Sequence, residues 1–227
     1  MKPERKGIGT GIGKEKVVSS IFVFIFAFTL TFTFAFSFSC KKEEPPAEKK
    51  GEAYNPYAVD TILFEAKKKT EAHPEDADAW FRLADLYERD GQYAEAIDAY
   101  KKVSKLKPAQ GYVYLKIGSA YERLGKPGEA VAALQKAVHY MPGYAVAYNN
   151  LGIEYGKVGR DRDEITALKK ALQLRPHYST ARYNLGIAYL RVKDRKAALR
   201  EYEVLKDIDT GTAGALMKEI EKTGKGQ

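Results

Sequence analysis

Four cations stand one period apart in this chain. Arg89, Arg123, Lys157 and Arg191 each follow the last by 34 residues. A column of fixed positive charge is chemistry for holding carboxylates or other anions, although the same residue types also serve as a solvated face. Other candidates are fewer. His73, His139 and His177 share no metal-ligand spacing, and no nucleophile–base constellation accompanies them, so neither a cofactor nor enzymatic activity is expected. The early GIGTGIGK places Ile8 and Glu15 where a phosphate loop needs glycine and Ser or Thr. Cys40 is the single cysteine, which rules out an intrachain disulfide.

The elements that position the cations follow from the same period. Tyr87, Tyr121, Tyr155 and Tyr189 recur with it, preceded four places earlier by Leu83, Ile117, Leu151 and Leu185. Ala84, Gly118, Gly152 and Gly186 lie three places before each tyrosine, and Pro108, Pro142 and Pro176 close three of the units. Each unit carries two apolar stripes at helical spacing, separated by a turn containing Gly91, Gly125 or Gly159. Units of this length cannot bury their apolar faces alone and stack into a solenoid. The small residues permit close helix approach, and the prolines end the second helix of the three units that carry one.

From Ala77 onward the units resemble the tetratricopeptide family. Trp80, Tyr114, Tyr148 and Arg182 hold the fourth place, and the Leu/Ile, Ala/Gly and Tyr series follow. Ala96, Ala130, Glu164 and Ala198 come next, then Tyr100, Leu134, Leu168 and Tyr202. The resemblance implies an all-α solenoid of four helix–turn–helix repeats over 77–212, with a capping helix at each end. The front cap is 56–76, with Val59, Ile62, Leu63 and Ala66 at helical spacing, and a closing helix and tail occupy 213–227. Glu164 stands where the other units have alanine. It must reach an edge or a basic partner, and Glu164→Ala is expected to raise the melting temperature.

In this family the first helices line a concave groove that takes an extended peptide or helix. The resemblance places Phe81, Asp85, Asn149, Lys157, Tyr183 and Arg191 there, with Tyr112 and Arg123 as further contacts. Asp78, Asp85 and Glu88 make its front acidic, and Asn149, Lys157, Tyr183 and Arg191 make its rear polar and cationic. Tyr112 and Tyr183 are the expected aromatic anchors. Phe81 and Asp85 occupy the places where the carboxylate-gripping members carry Lys and Asn, so that activity is not implied.

The amino terminus reads as an address. Residues 1–16 are polar and basic, and Val17 to Ser39 run without a charge, holding eight of the ten phenylalanines. This is the pattern of an export segment over 1–39, and Cys40 after it resembles the lipidated cysteine of bacterial lipoproteins. The alternative is an uncleaved single-pass helix with its amino terminus in the cytoplasm. A charged, proline-containing tether spans 40–55. Of the net charge of +8, the first 39 residues carry a surplus of three, and what remains forms no clustered basic stripe. Neither nucleic acid nor a small-molecule substrate is expected.

Together these features point to a scaffold for protein–protein interaction, anchored in a bacterial cell envelope and facing the periplasm or the outside. Alternatives are an obligate structural subunit of an envelope complex and an accessory that recruits a cell-wall enzyme.

Overall fold

The structure, a computed structural model, describes residues 56–224, with side chains from residue 61. The export segment, Cys40 and the tether lie outside the described residues. Those described form helices and no strand. After α1 (Pro56–Ala72) come four helical pairs: α2 (Ala77–Arg89) with α3 (Tyr93–Leu106), α4 (Gly111–Arg123) with α5 (Pro127–Tyr140), α6 (Ala145–Lys157) with α7 (Asp161–Leu174), and α8 (Ser179–Arg191) with α9 (Arg195–Ile208). A final helix, α10 (Thr210–Gly224), packs on α8 and α9. No described helix is long and apolar enough to cross a membrane.

Local chemistry sets the boundaries. Asp76 caps α2 by accepting hydrogen bonds from the backbone of Asp78 and Ala79, and Asp194 does the same for α9 through Ala197. Pro127 opens α5, where a missing N–H costs nothing. Between the helices of each pair the chain needs one residue at positive φ. Gly91, Gly125 and Gly159 supply it, and in the fourth unit Lys193 takes the same conformation at φ 62°. That non-glycine turn is the strained one.

The periodic residues form the core. Leu83, Ile117, Leu151 and Leu185 are all buried, as are Tyr100, Leu134 and Leu168 of the second helices. Close approach at the small residues is literal: a Cβ on Gly118 would lie 2.7 Å from Leu134 Cγ, and one on Gly152 would lie 2.7 Å from Leu168 Cγ.

Two details depart from the simple repeat. Gly186 is filled by Leu216 of α10, not by a side chain of its own partner α9, so the closing helix inserts into the last pair. That helix also begins earlier than expected. Asp209 accepts from the Thr212 N–H and hydroxyl, which places Gly211 in the first helical turn and not in a loop.

Arg182, at the place of Trp80, also has an explanation. Trp80 donates its indole N–H to the Pro74 carbonyl at 2.9 Å. Arg182 donates to the Pro176 carbonyl at 2.9 Å and to Glu201 at 2.7 Å. A different side chain thus satisfies the same turn.

Candidate functional site

The face built from α2, α4, α6 and α8 carries the site. At its front is a cavity of about 470 Å³ bordered by Asp85, Glu88, Arg89, Tyr93, Lys116, Ser119, Glu122 and Arg123. Phe81 stands beside it, edge-on to Tyr100 with ring centres 5.6 Å apart and 6.3 Å from the ring of Tyr112. Tyr112 is 43% exposed, so the pair forms an aromatic ledge with one ring in solvent.

The front is less acidic than its carboxylates suggest. Lys116, which the sequence reading did not single out, places its ammonium 3.2 Å from Asp85 and 2.8 Å from Glu88. The buried Tyr100 hydroxyl donates into the same carboxylates. Burial and these two carboxylates push the Tyr100 phenol far above its ordinary value. Burial works against the Lys116 charge, but the hydrogen bonds to Glu88 and Asp85 outweigh it and raise its pKa. Asp78, the remaining front acid, pairs with Lys107 at 2.8 Å. The expected acidic patch is therefore largely neutralised from within.

The cation column proves to reach backward along the array. Arg123 donates from Nε to the Tyr93 hydroxyl at 3.0 Å and lies 5.3 Å from that ring. Arg191, at the other end, approaches Asp161 at 3.4 Å, the same interval of 30 residues. The equivalent place for Lys157 is Pro127, which offers no acceptor. Lys157 turns instead to Glu122 at 2.8 Å and Glu154 at 2.6 Å. Arg89 has no side-chain partner among the described residues.

The rear of the face is built differently. Glu164 is 3% exposed and is held by both terminal nitrogens of Arg191, at 2.6 and 3.1 Å. Gly156 makes the room: a Cβ there would lie 2.5 Å from Arg191 Nη1 and 2.7 Å from Glu164 Oε1. Glu154 is 1% exposed, with one carboxylate oxygen on Lys157 and the other, buried, without a partner among the described residues. Burial raises the pKa of both glutamates despite the cation beside each.

Other expected groove residues are committed elsewhere. Asn149 is 3% exposed and accepts from the Asn184 amide at 3.0 Å. Tyr183 packs against the cluster of Leu205, Leu216 and Ile220 around the closing helix. A smaller cavity of about 260 Å³ between α6 and α8 is bordered by Ile153, Lys157, Asn184, Ile187 and Arg191. Among the described residues no cluster of His, Cys, Asp and Glu is arranged to hold a metal.

Comparison with known proteins agrees with this architecture. Tetratricopeptide-repeat family models match residues 67–110, 112–140 and 145–178. No curated protein sequence matches the chain. Among solved structures, a crystal structure of MamA is 26% identical, covering 72% of this chain and 91% of its own, with a TM-score of 0.62. YrrB, described as a TPR protein with an unusual peptide-binding site, is 22% identical over 71% of this chain and 84% of its own, with a TM-score of 0.64. TTC0263, a thermophilic TPR protein of Thermus thermophilus, is 22% identical over 74% and 92%, with a TM-score of 0.53. The described residues form an all-α solenoid with the fold of tetratricopeptide-repeat proteins, and repeats of that family are matched between residue 67 and residue 178.

Proposed function

We propose that this protein is a membrane-tethered scaffold that holds a segment of another protein along its first-helix face and so assists the assembly of an envelope complex. Arrays of these repeats generally bind and do not catalyse, and YrrB is a relative of this fold described as having a peptide-binding site. The observation that carries the reading is the open front cavity beside the Phe81–Tyr112 ledge. An exposed aromatic beside an open depression supplies both the contact area and the room an extended segment requires. The uncharged run Val17–Ser39 and Cys40 support the tether, through a lipid or through the helix itself.

A photoreactive phenylalanine analogue at Tyr112, in the full chain in intact cells, tests the reading. Irradiation is expected to yield a discrete crosslinked product at the membrane, absent when the analogue replaces Lys102 on α3. The Cys40→Ala chain in the same cells is expected to lose fatty-acid label. Absence of any crosslink from position 112 overturns the groove, and label retained in Cys40→Ala overturns the lipid anchor.

A further inference from the structure

The cation column divides into two halves with different fates. Lys157 and Arg191 spend their charge on Glu122, Glu154 and Glu164 within the array. Arg89 and Arg123 do not, and both border the front cavity. The carboxylates sharing that cavity are already satisfied: Asp85 and Glu88 by Lys116 and Tyr100, and Glu122 by Lys157. What the cavity still lacks is an acceptor for its guanidinium groups.

The geometry of Arg123 narrows the choice. Its Nε is engaged by the Tyr93 hydroxyl and its plane rests near the Tyr93 ring, which holds the group in place. The two terminal nitrogens remain, side by side, in the fork that matches a carboxylate. We infer that Arg89 and Arg123 form a docking site for side-chain carboxylates of the bound segment, so that the scaffold's partner presents an acidic peptide. This rests on the reading of the face as a protein-binding surface. A carboxylate is favoured over a phosphate because three protein carboxylates border the same cavity, and a second negative charge on the ligand would meet them.

The test uses the full chain in detergent and fluorescein-labelled peptides. One peptide alternates Glu with Ala, a second replaces each Glu by Gln, and a third replaces it by phosphoserine. Fluorescence anisotropy is expected to show the Glu peptide bound about tenfold more tightly than the Gln peptide, with the preference fading as salt rises. Arg89→Gln and Arg123→Gln should each erode the preference, and Lys136→Gln, on α5 away from this cavity, should leave it intact. Equal binding of the Glu and Gln peptides, binding of neither, or tighter binding of the phosphoserine peptide overturns the inference. The crosslink from position 112 does not depend on ligand charge. Its presence beside equal binding of the Glu and Gln peptides by the unaltered chain would keep the scaffold and remove only the acidic partner.

Discussion

The first two units and the third hold their neighbours by opposite arrangements of the same groups. In the front, the twelfth place of the first helix carries Glu88 or Glu122, which meets a lysine of the following unit in partly solvated surroundings. In the third unit that place is Gly156, and the carboxylate has moved to the second helix as Glu164, buried under Arg191. Small and acidic residues have exchanged places between the two helices of one pair. The front arrangement leaves its two arginines without a carboxylate partner among the described residues, whereas the rear pairs its cations within the array. A uniform period therefore hides a division between unpaired and paired ends of one cation column.

The largest effect should come from breaking the rear pair. Arg191→Ala leaves Glu164 in a buried site without its cation, and a loss of about 2 kcal/mol in urea unfolding is expected. Lys116→Ala at the front should cost about half as much, since its carboxylates keep access to water and to Tyr100. Equal losses would erase the distinction between the two regions. Glu164→Ala is the opposite case, because it leaves Arg191, 38% exposed on its side chain, to water. It is expected to raise the melting temperature slightly.

A smaller change follows from moving the carboxylate itself. Gly156→Glu alone should be destabilising by about 1 kcal/mol, because the new side chain enters the space of Glu164 and Arg191, whose flexible ends can shift. Adding Glu164→Ala recreates the pattern of the front units, and the double variant is expected to recover most of that loss in the same urea titration. Additive losses would show that the two places do not exchange.

The smallest effect concerns pH. The folded protein binds protons at Glu154 and Glu164 more readily than the unfolded chain, whose carboxyls titrate near 4.5. Their contribution therefore falls as pH rises from that value through the raised ones. Glu154→Gln and Glu164→Gln are expected to flatten this stretch of the stability–pH curve. A steeper curve in either buried variant contradicts the burial account.

Much of the fold was legible because it depends on local chemistry repeated many times. The spacing of Leu83, Tyr87 and their counterparts, the glycines at positive φ and the prolines behind three of the four second helices mark the helices and their pairing. The exchange of Glu164 and Gly156 was half visible, as one carboxylate out of pattern. Its partner could not be read, since a salt bridge spanning 27 residues leaves no local trace. The same holds for Lys116, an ordinary surface lysine by pattern, and for Leu216 inserting against Gly186 from beyond the last unit. The acidic front and the free Tyr183 looked plausible because a place number tells which face a residue lies on. It does not tell what else has already reached that face.

By itself the sequence determined the repeat, the helices and the face on which each side chain would emerge, because these follow from periodicity and backbone preference within a few residues. Only the tertiary structure decided which charges are paired within the array. That depends on distances between units, where a proline at 127 or a glycine at 156 redirects a neighbouring cation from one acceptor to another.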